Sequence, residues 1–403
     1  MYHPIAMFKG YYAQQVLTGL EAITLEALTP AANAIAHAVV QPRNMIYIFG
    51  NGGSYAIGKH FALSLKERFR GTKKSVRIRH GIDMLESQAH AVGSDYNSIF
   101  SEILEEEQAT AEDLVVLLSG SGDSDNVVNA ATYCIEHCIP HVSFSGFDGG
   151  KIAKISRMPY IAQIHDQQMC EDVIQALLHQ VVEQAFQVCQ NSNPAKFKEY
   201  RTTYLKQIEQ ALTRISPACL ENISRDIKNA FVTGHNVFLI APEGDGPGIS
   251  AEHTAHNLNW DAVYQVENPP KRYIFSTPTH CDYSGIGNDR IADGIVSMQQ
   301  LEKARRGDVL LLFAYDSNSM CVKNTRKYAK DKGLTIYTLC GKGQGEICYR
   351  TNDPLVSADV MQMTGHMIGR IVRNMLKGSL DYDCLITEDL AQRRLIAERI
   401  EGL

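Results

Sequence analysis

Two short stretches of the chain have residue types and spacing suited to chemistry. The first is Gly50-Asn51-Gly52-Gly53-Ser54, which follows the apolar run MIYIF and opens a helical pattern. Its glycines let backbone approach a ligand closely, and a helix N-terminus adds free amides and partial positive charge. The second is Ser119-Gly120-Ser121-Gly122-Asp123-Ser124, again between an apolar run and a helical pattern. Its three hydroxyls and several amides can ring a phosphate without any Lys or Arg. Either turn alone reads equally well as a helix-capping turn. Both at consecutive crossovers of one α/β unit point to a phosphorylated small molecule.

The elements that must position these turns follow from an internal repeat. DVIQALLH (Asp172 to His179) is echoed by DVMQMTGH (Asp359 to His366), an offset of 366 − 179 = 187. GKHFALSL around His60 is echoed by AEHTAHNL around His253, with 253 − 60 = 193. AVGSDY, which holds Asp95, is echoed by GIGNDR, with 289 − 95 = 194. EDLVVLLSGSGDS is echoed by GDVLLLFAYDSNS, with 308 − 113 = 195. Four blocks in one order imply a duplication of about half the chain. Each half opens with one long helical segment (Tyr11 to Val40, Tyr204 to Phe231). Short continuous apolar runs then alternate with amphipathic helices, the pattern of parallel strands covered on both faces. The expected fold class is α/β: two tandem doubly wound, Rossmann-like domains with parallel sheets flanked by helices. The linker is expected at the polar stretch Gln190 to Pro194, giving domains 1–194 and 195–403. The tail Leu385 to Ile400 has apolar residues at helical spacing and is expected to pack on a domain or partner subunit.

Composition narrows the function. The chain has 403 residues, about two or three domains' worth. Its 39 Lys and Arg against 45 Asp and Glu give a net charge of −6, which argues against direct binding of nucleic acid. No apolar run approaches the ~20 residues of a membrane span, and the N-terminus lacks a secretory pattern. The ten cysteines are scattered. Cys134 and Cys138 read as core or half-buried thiols, and a reducing cytoplasm is the expected compartment. His165 and Asp166 read as surface or capping residues, and His80 and His90 receive no role.

FGNGGSYAIGKHFALSL, LLSGSGDSDNVVNAA and SFSGFDGGKIAKIS together resemble the sugar isomerase (SIS) domain. The resemblance is strongest to its phosphoheptose isomerase group, which includes a replication-initiator-associating protein. It covers most of residues 8–190. It implies that Ser119, Gly120, Ser121 and Ser124 cradle phosphate. It implies that Asn51, Gly52, Gly53 and Ser54 contact the open-chain sugar and that Asp95 contacts substrate. His179 matches the family's catalytic His, and His60 a His that binds metal in some members. Two departures stand out. The family's catalytic Glu, four residues after the His60 position, is Ser64 here. The family's Gln, eight residues before the His179 position, is Glu171. Residues 171 and 179 lie just over two helical turns apart, so both can face one side. The expectation is that the carboxylate has moved between helices, so that His60, Glu171 and His179 form the site. Such a set can hold zinc with an open fourth position. Alternatively, Glu171 and His179 move protons between C1 and C2 of a sugar phosphate through an enediol. The competing structural reading is that Glu171 caps or solvates a helix N-terminus.

The second half has lost its cradle: Ala314-Tyr315-Asp316-Ser317-Asn318-Ser319 stands where the Ser-rich turn should be. Asp316 beside a phosphate would cost about 1 kcal/mol in water at ~4 Å, and roughly 4 at an effective dielectric of 20. The glycine turn is the acidic Ala241-Pro242-Glu243-Gly244-Asp245-Gly246, and Ala358 occupies the Glu171 position. His253 and His366 persist, as packing or as contributors to the other half's site; a cationic or uncharged ligand is the rival use. Family resemblance implies four-domain assemblies, so a homodimer forming a pseudo-tetramer is expected. Two function classes stand: a phosphosugar aldose–ketose isomerase, with sedoheptulose 7-phosphate as default substrate, or a non-catalytic phosphosugar-binding regulatory or scaffolding protein. Ser64 favours the second; Glu171 and the intact first cradle favour the first.

Overall fold

The computed structural model describes residues 3–72, 74, 76–81, 95–263, 274–275 and 294–387. His90, the GIGNDR motif and most of the C-terminal tail lie outside these residues. The chain forms two compact units, residues 15–205 and residues 1–14 with 206–403.

The first unit holds a five-stranded parallel sheet in the order β2-β1-β3-β4-β5. The strands are β1 Ile46–Phe49, β2 Ile78–His80, β3 Leu114–Ser119, β4 His141–Gly146 and β5 Pro159–Ala162. β1, β3 and β4 are buried at every residue, as expected for strands covered on both faces. Register is set by pairs such as Ile48 with Val116 and Val116 with Val142. The chain moves outward from β1 to β2, then returns to β3 on the other side. The two turns after β1 and β3 therefore flank the switch point, where doubly wound sheets bind ligands.

The helices of this unit include α2 (Leu25–Val40), α3 (Gly52–Phe69), α4 (Ile99–Glu106), α5 (Asp125–Glu136), α6 (Gly150–Ile155) and α7 (Gln167–Cys189). α1 (Pro4–Ala22) precedes them. The opening helical segment is thus two helices rather than one. Thr24 accepts a hydrogen bond from Ala27 N and caps α2, starting a new helix that Pro30 in its second turn does not break. The second half repeats this with α8 (Pro194–Arg214) and α9 (Pro217–Thr233), where Ser216 is the cap and Pro217 the first helical residue.

The second sheet has the order β10-β9-β8-β6-β7, the same topology read from the other edge. Its strands are β6 Val237–Ile240, β7 Ile274–Phe275, β8 Val309–Asp316, β9 Thr335–Lys342 and β10 Ile347–Cys348. Around it stand α10 (Asp245–Asn257), α11 (Ile295–Gln300), α12 (Met320–Asp331), α13 (Pro354–Lys377) and α14 (Tyr382–Ile386). The repeat extends to single hydrogen bonds. Asp113 accepts from Met45 N at 2.7 Å and Thr110 N at 2.8 Å; Asp308 accepts from Asn236 N and Arg305 N, both at 2.9 Å.

The polar stretch at 190–194 does turn the chain, but the units divide at Leu205/Lys206, inside α8. The start of α8 has its partners in the first unit. The Arg201 guanidinium donates to the carbonyls of Leu20 and Ile23, at 2.8 and 2.5 Å. Phe197, Tyr200 and Tyr204 stack in a row, with centroids 6.1 and 5.5 Å apart. Residues 1–14 in turn belong with the second half. Cys134 is buried in the first core and its thiol is pushed up to about 12 by that burial. Cys138 is exposed rather than half-buried, because α5 has ended and the chain turns there at φ +57°.

Candidate functional site

The turn after β1 is held open by its own residues. Asn51 takes an extended N-cap conformation but makes no side-chain cap bond. Its amide instead pairs reciprocally with Asn126 on α5, at 2.9 and 3.0 Å, tying the turn after β1 to the helix that follows the Ser-rich turn. Tyr96 Oη also donates to Asn51 Oδ1 at 3.4 Å. Asp95 starts the short turn that carries Tyr96 and accepts from Asn97 N at 3.0 Å, so its carboxylate serves as a turn cap. Asn129 Nδ2 fastens that turn to α5 through the Asn97 carbonyl at 2.8 Å.

The Ser-rich turn divides its hydroxyls between two tasks. Ser119, 3% exposed, accepts from Gly122 N at 3.1 Å and donates to Ser124 Oγ at 3.2 Å. It braces the turn from within. Ser121 is exposed and Ser124 half-buried, so these two face outward with the backbone. Gly122 has φ +74°, and a Cβ there would lie 2.1 Å from the Gly149 carbonyl oxygen. Only glycine lets the turn approach α6 so closely. Asp123 is drawn off the site by accepting from Lys151 N at 3.0 Å.

α7 supplies the carboxylate. Asp166 caps this helix by accepting from Met169 N at 3.1 Å, so Glu171 does not cap it. His165 is exposed, 3.5 Å from Asp148. Glu171 is 4% exposed, and its carboxylate presses on the first turn of α3: a Cβ on Gly53 would lie 2.5 Å from Oε1. Gln167 Nε2 donates to Glu171 Oε1 at 2.7 Å, and the Gln167 amide fills the space over Gly120. Glu171 and Gln167 thus stand together between the turn after β1 and the Ser-rich turn after β3.

The two histidines lie deeper. α3 and α7 run parallel, with Gly53 beside Glu171, then His60 beside His179, then Arg68 bonded to Glu183 at 2.6 and 3.0 Å. The His60 and His179 rings meet edge to face, centroids 4.8 Å apart at 87°. Tyr204 Oη and His179 Nδ1 share a 3.3 Å hydrogen bond. His60, Glu171 and His179 do share one side of the helix pair. They do not offer one ligand atom each within 4.8 Å of one another, so they do not form the expected three-ligand zinc set. Eight residues of helix are about 12 Å of rise, enough to put the carboxylate and the imidazoles in separate layers. The second unit repeats the pair: His253 and His366 meet at 4.9 Å and 89°, and His253 Nδ1 bonds Gln362 Oε1 at 3.0 Å.

His80 braces the first turns of α3. Its Nε2–H donates to the Tyr55 carbonyl at 3.0 Å, its ring lies 4.5 Å from the Tyr55 ring, and it packs on Gly58. Burial pushes its pKa down to about 4 and keeps it neutral. Sequence reasoning missed Asn126, Gln167 and Tyr204. Asn126, two residues beyond the Ser-rich turn, had a positional signal; Gln167 and Tyr204 had none.

The SIS domain family model matches residues 11–143. The phosphoheptose isomerase of Geobacter sp. (strain M21) is 32% identical over 155 residues, 38% of this chain and 79% of that protein. The phosphoheptose isomerase of Aquifex aeolicus is 27% identical over 194 residues, 46% of this chain and 91% of that protein. The chain belongs to the SIS domain family. Across nearly its full length it shares its fold with the C-terminal domain of glucosamine-fructose-6-phosphate aminotransferase from Francisella tularensis. That match has TM-score 0.60 at 11% identity and covers 94% of this chain and 98% of the other. Tagatose-6-phosphate ketose/aldose isomerase from Escherichia coli matches with TM-score 0.57 at 11% identity, covering 95% of each.

Proposed function

We propose that the first unit is a phosphosugar isomerase site. The phosphate lies at Ser121, Ser124 and the amides of their turn, and Glu171 moves the proton. The observation that carries this is the place of the Glu171 carboxylate, between Gly53 and the Gln167 amide that covers Gly120. A sugar phosphate spanning the two turns brings C1 and C2 of its open chain to that carboxylate. Glu171 as carboxylate takes the proton from the carbon beside the carbonyl, leaving an enediol. The resulting carboxylic acid returns it to the neighbouring carbon while a hydroxyl proton passes between O1 and O2. Gln167, donating to Oε1, positions the carboxylate. The names of the relatives support a phosphosugar, with sedoheptulose 7-phosphate the first substrate to try.

The second reading is binding without turnover. It is favoured by Ser64, which leaves α3 without the carboxylate that the family resemblance implies four residues beyond His60. It is favoured too by the recurrence of the imidazole pair in the unit whose cradle is gone, which suits packing as well as catalysis. Phosphorus NMR of the full chain with sedoheptulose 7-phosphate separates the two. New phosphate-ester peaks that Glu171→Gln suppresses by about 10²–10⁴-fold, with binding retained, support the isomerase. A broadened, unchanging substrate peak supports the binding protein.

A further inference from the structure

In the second unit the two ligand turns are bridged by a carboxylate. Glu243, in the turn after β6, accepts through Oε2 from the backbone N–H groups of Tyr315 at 2.6 Å and Asp316 at 3.1 Å. These residues stand at the Gly120 and Ser121 positions of the first unit. The geometry supports that match: Asn318 N bonds Asp316 Oδ1 at 2.9 Å just as Asp123 N bonds Ser121 Oγ at 3.2 Å. Two consecutive N–H groups converging on one oxygen form an anion nest of the kind that takes phosphate. In the first unit the bridge between the same turns is the neutral Asn51–Asn126 pair. Lys342 Nζ lies 3.4 Å from Asp316 and over the Tyr315 ring, so the cation beside this turn is engaged with the turn itself.

We propose that Glu243 is a built-in anion standing where a phosphate oxygen would lie, so that the second unit is closed to phosphate esters and each chain takes one phosphosugar. This rests on the reading of residues 119–124 as the phosphate cradle. Glu243 is then a specificity-determining residue, acting by exclusion. Nothing in its place in the sequence shows this, because an acidic turn alone says only that phosphate is disfavoured. The contacts show which two amides it occupies.

The test uses the full chain with sedoheptulose 7-phosphate in equilibrium dialysis. Wild type is expected to bind one equivalent, lost in Ser121→Ala/Ser124→Ala. Glu243→Ala is expected to gain a second, weaker equivalent that survives Ser121→Ala/Ser124→Ala. Two equivalents in wild type, or no gain in Glu243→Ala, overturn the proposal. Should that variant not fold, amide NMR of wild type decides. Inorganic phosphate is expected to shift the Gly120 and Ser121 signals and leave Tyr315 and Asp316 in place; movement of the latter pair overturns the proposal. If wild type binds nothing and neither pair moves, the cradle reading has failed. Inorganic phosphate added to Glu243→Ala then still reports on Glu243 alone, and shifts at Tyr315 and Asp316 confirm its role.

Discussion

The Glu171 carboxylate presses on the Gly53 backbone and accepts from the Gln167 amide, so small changes around it have large effects. Gly53→Ala puts a methyl group 2.5 Å from its Oε1 and displaces the carboxylate. Turnover is expected to fall at least about 100-fold, since an ångström of misplacement costs that much; activity within 3-fold of wild type would mean that Glu171 does not act from this position. Gly122→Ala meets both the left-handed φ of +74° and the Gly149 carbonyl, and is expected to cost about 2 kcal/mol or more of stability, read by urea unfolding. The turns themselves were legible in the sequence because glycine- and serine-rich stretches recur between an apolar run and a helical pattern at two consecutive crossovers. The three-residue metal set was not legible. Sequence spacing shows that 171 and 179 share a face, whereas the rise along the helix decides whether they meet. Tyr204 was hidden for a related reason: it reaches His179 from a helix that the chain's polarity assigns to the other domain.

At the scale of elements, the register between α3 and α7 sets what each layer does. Near the sheet's switch point the layer is carboxylate on glycine; two turns on it is imidazole on imidazole. His80 on β2 supports the outer layer and gives it a pH dependence. An unfolded chain takes up this proton near pH 6.5, while the folded one waits until about 4. Between those values the unfolded state binds more protons, so stability falls as pH falls and the loss is complete below pH 4. The shift is worth about 3 kcal/mol. Urea midpoints at pH 7.5 and 4 should fall less for His80→Gln than for wild type; equal falls would remove His80 from the account. His141, also lowered by burial, contributes in the same direction. The duplicated sheet was legible because Asp113 and Asp308 do the same job at the start of β3 and β8, and a residue needed twice is kept twice. The division of each opening segment into two helices rested on Thr24 and Ser216, caps that lie inside otherwise helical patterns.

For the whole molecule, the place of the division matters more than its existence. A piece ending at Asn193 lacks Phe197 and Tyr204, 2% and 1% exposed in the intact chain. Losing two such side chains is worth about 3–6 kcal/mol. Residues 15–193 are therefore expected to melt at least about 6 °C below residues 15–205; equal melting temperatures would show that the start of α8 is dispensable. Light scattering of the full chain is expected to give twice the chain mass, as the duplication and family resemblance imply, and a monomer would end that expectation.

The assignment of residues 1–14 to the second unit also has a consequence for synthesis. Ile5, Phe8 and Tyr12, each 1% exposed or less, are made well before residues 206–403, with which they pack. The Arg370 guanidinium, 5.9 Å over the Phe8 ring, is made 370 − 8 = 362 residues later. At about 5–20 residues per second that is a delay of about 20–70 s. Throughout it the nascent chain carries an uncovered apolar segment, a ready hold for a chaperone.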